Sequence, residues 1–172
     1  MHKIYTTQLF GLFKNINEKQ EDLLEDAGRL LAQAIVMQGT IYVKGFDQLK
    51  ALEEAATGGY DALPQAEILN QQGLGPEDRL LLFAPDATDD RVTNLLDVCT
   101  KTNTPAIVVS SATVFGITEL ENCDLFLDTG VKDGLIPDDD GNRIGHPGTI
   151  VALFIAQHLC LTITDILSEL ND

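Results

Sequence analysis

The chain has 172 residues, 44% of them hydrophobic, and carries 27 acidic against 11 basic side chains, a formal net charge of −16. That size fits one ordinary domain whose core needs no staple, and the charge argues against nucleic acid or anionic membrane as partner, since both are repelled across most of the surface. Three widely spaced cysteines without a C-x-x-C pair, Cys99, Cys123 and Cys160, read as reduced core thiols, and MHKIYTTQLFGLFKN lacks a signal-peptide cleavage site, so a cytoplasmic location is expected.

In chain order, Leu9, Phe10, Leu12, Phe13 and Ile16 predict a short first helix. Asn17, with Gln20 three residues on, predicts the cap of a second helix. Its apolar positions Leu23, Leu24, Ala27, Leu30, Leu31, Ala34 and Ile35 recur at helical spacing before Gly39 stops it. A β-rich run at 40–43 precedes a helical pattern at 47–56 that ends at Gly58-Gly59, and 66–69 reads as a short strand. Residues 80–84 (LLLFA) predict a strand, 89–101 a helix, 106–110 a strand entered through Pro105, and 117–121 a brief helical turn. Residues 124–128 predict a strand, 137–145 a turn or hairpin, and 147–170 a final helix with Pro147 at its first position. Within that helix the apolar stretch 150–163 is broken by Gln157, His158 and Thr162, too short and mixed to span a bilayer.

Continuous apolar strands alternating with helices imply a mainly parallel sheet covered on both faces, an α/β doubly wound three-layer sandwich. One domain is expected, with an N-terminal helical segment at 1–38 and an α/β core at 39–172. The final helix is apolar nearly all round and the N-terminal helix adds a second apolar stripe, which predicts a homodimer or homotetramer.

The strand-end loops are where such a fold receives a ligand. After the 80–84 strand, Thr88 is the expected N-cap, with Asp89 and Asp90 in the first turn, where free amides and the helix dipole favour acids. Two like unit charges ~4 Å apart repel by about 1 kcal/mol even in bulk water and several-fold more near a protein surface, so those carboxylates oppose a phosphate. The alternative is a divalent metal bridging Asp86, Asp89 or Asp90 to a ligand; no other cofactor is expected. Lys44 and Gly45 end the first strand ahead of Asp47, where the lysine offsets an anion or is merely solvated and the glycine permits close backbone approach.

Ser110, Ser111 and Thr113 offer neutral hydroxyl donors, for ligand or for turn. Arg143, His146, Gly148 and Thr149 bring a guanidinium, an imidazole and a hydroxyl to the start of the final helix, whose free amides attract anions. The competing reading pairs Arg143 with Asp138, Asp139 or Asp140 in a solvated turn. DDDGN lacks the spacing of a calcium loop and reads as that turn. His158, amid Ile155, Leu159 and Cys160, reads as a packed histidine.

In the order of its segments (IYVKGF, then LLLFAPDATDDRVTNLLDVCTKTNTPAIVVSS, then DGNRIGHPGTIVALFIAQHLC) the chain resembles the sugar isomerase (SIS) family, as a divergent, phosphoheptose isomerase-like member. The resemblance implies a sugar phosphate or related small anionic metabolite as ligand, held at a subunit interface, and aldose–ketose isomerisation. It departs from the family in lacking the Gly- and Ser-rich turn of the first loop, the Ser/Thr-rich second loop, and the family's His and Glu spacing. Two functions follow: an isomerase with His146 as acid–base group and Glu54 as a carboxylate partner, or a non-catalytic protein that binds a sugar phosphate or a protein partner in a regulatory role.

Overall fold

The computed structural model describes residues 1–71, 73–112 and 120–170. Thr113 and most of the helical turn expected at 117–121 fall outside them.

Two helices open the chain, α1 at His2–Lys19 and α2 at Glu21–Val36. The expected break at Asn17 is therefore displaced: Asn17 lies inside α1, and the chain turns at Gln20, whose φ of −125° leaves the helical region. The cause is tertiary. Gln20 Nε2 donates to the Asp128 carbonyl at 2.7 Å and its Oε1 accepts from the Asp128 amide at 2.9 Å, so one amide side chain pairs with sheet backbone as another strand would.

The sheet contains β1 (Ile41–Gly45), β2 (Ala66–Ile68), β3 (Arg79–Phe83), β4 (Ala106–Ser110) and β5 (Leu125–Asp128), all parallel, in the order β2-β1-β3-β4-β5. A 3-10 turn at Asp47–Lys50 leads into α3 (Ala51–Gly58), and α4 spans Asp90–Thr102. A two-residue hairpin pair, β6 (Ile136–Pro137) and β7 (Arg143–Ile144), precedes α5 (Gly148–Glu169). This is the doubly wound α/β architecture expected. Pro147 is the N-cap of α5 rather than its first residue.

Strand alternation divides the core. Ile41, Val43, Leu81, Phe83, Ile107, Val109 and Leu127 face α2, α3 and α5 in one cluster; Leu80, Leu82, Ala106 and Val108 face Val92, Leu96 and Cys99 of α4 in the other. β1, β3 and β4 bury both faces, which is why their runs are mostly apolar, whereas the edge strands β2 and β5 are only partly buried. α5 is long and apolar enough to cross a membrane by composition, yet it buries Val151, Ala152, Ile155, Ala156, Leu159 and Ile163 against the sheet and α2. Burial pushes the Cys99 thiol up to about 11, as expected of a core cysteine rather than a nucleophile. His158 packs edge-on against Phe154 at 4.6 Å.

Apolar surface remains on the outer side. Ile4 and Phe10 of α1 and Ile150 and Leu153 of α5 are exposed, and the two helices are joined by Phe13 stacked on Phe154 at 4.3 Å.

α2 and α5 pack tightly at Gly28, where an added Cβ would lie 2.4 Å from Thr162 Cγ2. Gly28→Ala should therefore lower stability by about 1–3 kcal/mol through overpacking, although alanine is the better helix former by about 1 kcal/mol. Urea unfolding checks this, and adding Thr162→Ser, which removes that methyl group, should recover part of the loss.

Candidate functional site

The strand order reverses direction between β1 and β3, and the crevice outside their carboxyl ends is where an α/β sheet of this order binds ligands. Here the crevice holds an internal network. Arg91, in the first turn of α4, donates from Nη1 and Nη2 to the two Asp47 oxygens at 3.1 and 2.7 Å. The same guanidinium donates from Nε to both Asp89 oxygens at 3.0 Å and from Nη2 to Asp89 Oδ2 at 2.6 Å. Its carbon lies 4.6 Å above the centre of the Phe46 ring, a cation–π contact. One side chain thus ties the loop after β1 to the loop after β3. The Arg91 hydrogen bonds hold both the Asp47 and Asp89 carboxyls below the usual aspartate range, and the two carboxylates in turn raise the Arg91 pKa.

The neighbouring donors are also engaged. Asp89, not Thr88, caps α4, accepting from the Arg91 amide at 2.8 Å. Thr88 is drawn backward instead: its amide and hydroxyl both donate to Asp86 Oδ1, at 2.7 and 2.6 Å. A short aspartate turn therefore displaces the expected cap by one residue.

At the end of β1, Gly45 donates its amide to Glu53 Oε1 at 3.0 Å, and Lys44 Nζ lies 3.5 Å from the same oxygen. Gly45 is required because an added Cβ would sit 2.3 Å from the Leu49 carbonyl oxygen; the backbone approaching it is the 3-10 turn. Glu53 is buried and faces this loop, whereas Glu54 is exposed on the outside of α3. The crevice thus gathers two cations, Lys44 and Arg91, among five carboxylates, Asp47, Glu53, Asp86, Asp89 and Asp90. Among the described residues no group of three or more His, Cys, Asp or Glu side chains is placed to hold a metal.

One strand further on the situation changes. Ser110 is fully buried at the end of β4, and its Oγ has no hydrogen-bond partner among the described residues. Alternation with Ala106 and Val108 puts it on the α4 side of the sheet. Ser111, on the opposite side, donates to the Val131 carbonyl. Asp128, beside Ser110 in the sheet, accepts from the Ala112 and Gly130 amides at 3.0 and 2.9 Å.

The start of α5 is open to a different degree. Gly148 is buried and its amide donates to His146 Nδ1 at 3.3 Å, with Thr149 half-buried beside it. Arg143 does not pair with the Asp138–Asp140 turn. Its Nε donates to the Gly134 carbonyl at 2.9 Å and Nη2 to Leu135 at 3.4 Å, holding the hairpin closed, while Asp138 caps its own turn by accepting from the Asp140 and Asn142 amides. No hydrogen bond or ion pair among the described residues links His146 to Glu54. The structure therefore groups Lys44 and Gly45 with Glu53, and Thr88 with Asp86. It sets Gly148 and Thr149 with His146, and leaves Glu54 apart.

A family model described as "Domain of unknown function (DUF2529)" matches residues 1–167. The chain is 32% identical over 171 residues to "Uncharacterized protein YwjG" of Bacillus subtilis (strain 168), covering 98% of this chain and 99% of that protein. Among solved structures it is similar to a hypothetical protein from Methanococcus jannaschii, for which a 3-hexulose-6-phosphate isomerase function was inferred. The TM-score is 0.67 at 15% identity, over 98% of this chain and 90% of that one. It is also similar to a phosphoheptose isomerase from Francisella tularensis, with a TM-score of 0.67 at 10% identity over 94% and 95% of the two chains. The fold is thus that of the sugar isomerases.

The depressed native pKa values of Asp47 and Asp89 fix a sign. Stabilisation by the Arg91 bridge is complete above the ordinary aspartate pKa of about 4 and is lost as the pH falls through the lower native values. The difference in Tm between the native chain and Arg91→Ala should accordingly be widest near neutrality and close in acid. A gap that does not narrow at all as the pH falls below the ordinary aspartate range would show that the bridge is not the source.

Proposed function

The chain belongs to the family described as "Domain of unknown function (DUF2529)" and has the sugar isomerase fold, and from that premise we propose that it binds a sugar phosphate without isomerising it. The observation that carries the reading is the Ser110 hydroxyl, fully buried at the ligand-facing end of the sheet and unpartnered among the described residues. A buried hydroxyl without a partner is costly, by about 1–3 kcal/mol, and a ligand oxygen relieves that cost. The anionic end of the ligand is assigned, on the other side of the sheet from Ser110, to the first turn of α5, where Thr149 lies beside the Gly148 amide that now donates to His146 Nδ1. It does not belong at the β1–β3 crevice, where carboxylates outnumber cations. The function inferred for the Methanococcus jannaschii neighbour supports a ligand of this class.

Catalysis is set aside because the expected acid–base pair is not assembled among the described residues: Glu54 is exposed on α3, and the His146 Nδ1 accepts from a backbone amide of its own turn. Isomerisation stands as the second reading, favoured by the activity named for the Francisella neighbour; it requires a partner subunit to complete the pair. We further propose a homodimer in which a second copy covers Ile4, Phe10, Ile150 and Leu153, since an apolar patch of this kind on a chain this acidic marks a contact surface.

Two measurements test these readings. In a thermal-shift screen of sugar phosphates, a ligand near ~100 times its Kd should add about 2.7 kcal/mol of stability. The shift should fall in Ser110→Ala and Thr149→Ala and survive in Arg143→Ala, with no product by NMR; product formation that stops in His146→Ala would establish the isomerase. Sedimentation should give a dimer that Phe10→Asp or Leu153→Asp returns to monomer.

A further inference from the structure

Away from the ligand edge, the seam between α2 and α5 opens into two adjoining cavities of about 1060 and 310 Å³ that share Arg29 and Ile166. The smaller cavity is mainly apolar, with Val36, Met37, Ile166 and Leu170 along it, whereas the larger one is mostly polar around Leu24, Leu161 and Ile166; Leu161, Val36, Met37 and Leu170 are 67%, 63%, 51% and 65% exposed. Large apolar side chains so exposed, along one groove with a polar rim, mark a contact surface rather than scatter. The rim carries Glu18, Glu21, Glu25, Asp165 and Glu169. Arg29, its one arginine or lysine among the described residues, is already paired with Glu25 one helical turn away.

We propose that this groove receives a basic amphipathic helical segment of another protein. Length fits: from His158 to Glu169, α5 offers roughly 18 Å of groove at 1.5 Å per residue, matching about three turns of a guest helix whose apolar face repeats at i, i+3, i+4 and i+7. Charge decides the occupant. A second copy of this chain docking through a two-fold axis sets the same carboxylates against one another, which costs specificity and affinity. A small cation or polyamine satisfies the rim and leaves Val36, Met37 and Leu170 in water. Lysines or arginines flanking an apolar stripe satisfy both. The groove's role is independent of whether a sugar phosphate binds at the other end of the sheet.

The test uses the full chain and a synthetic Lys/Leu amphipathic peptide of about fourteen residues, with a Glu/Leu peptide of the same pattern as control. At physiological salt the Lys/Leu peptide should bind, and amide NMR shifts should concentrate on residues 18–37 and 158–170. Glu21→Lys with Asp165→Lys should weaken binding by about tenfold or more, and Leu161→Asn, which removes the apolar contact without changing the rim's charge, should weaken it as well. Asp138→Lys with Asp139→Lys, on the distant hairpin, should leave binding unchanged. Equal loss in the hairpin variant would show mere attraction to an acidic protein and overturn the proposal, as would cross-links placing a second copy of the chain in the groove. Retained sugar phosphate stabilisation in Glu21→Lys/Asp165→Lys keeps the groove distinct from the ligand edge.

Discussion

A single guanidinium governs how the ligand edge of this molecule is arranged. Parallel strands that reverse order leave a crevice between the loops after β1 and β3, and the helix starts facing it present free amides. In this chain both loops carry aspartates, and Arg91 holds Asp89 while reaching Asp47, 44 residues away in sequence, and resting on Phe46. Without that cation the two carboxylates would repel each other across the opening. With it they are bridged across the opening, and the carboxylates there still outnumber the cations.

The rest of the edge follows from this bridge. Asp86 takes the Thr88 donors and Glu53 takes the Gly45 amide and Lys44, so the first two loops satisfy themselves. Under the function proposed above, a guest is held one strand over and across the sheet, at Ser110 and at the start of α5. The sheet holds these positions: β4 lies between β3 and β5 and is fully buried, and β5 is pinned at its outer edge by the amide of Gln20. The N-terminal helices therefore contribute to the site indirectly, by fixing the last strand.

Much of the fold is legible in the sequence because its signals are local. The runs LLLFA and AIVVS can only be strands buried on two faces, and the α4 and α5 patterns are long enough to read directly. Boundaries mislead where a side chain has tertiary work. Asn17 looks like a cap, but the chain breaks at Gln20 because Gln20 is needed by Asp128. Thr88 looks like a cap, but Asp86 draws it back and Asp89 replaces it. Of the adjacent acids Glu53 and Glu54, periodicity alone does not say which turns inward; burial of Leu52, Glu53 and Ala56 on one face of α3 does. Arg91 escapes sequence reasoning altogether. The available signal is scarcity: in a chain with 11 basic residues against 27 acidic ones, an arginine two residues after a capping aspartate is worth tracing to its partner.

The most direct test of this account is an amide NMR titration of the native chain with a sugar phosphate that stabilises it. The bridged β1–β3 crevice predicts shifts at Ser110, Ser111, Gly148 and Thr149, with the Asp47, Asp89 and Arg91 signals unmoved. Shifts centred on residues 86–91, with the Arg91 side-chain resonances released from their carboxylates, would show that the anion enters the crevice and would contradict the account.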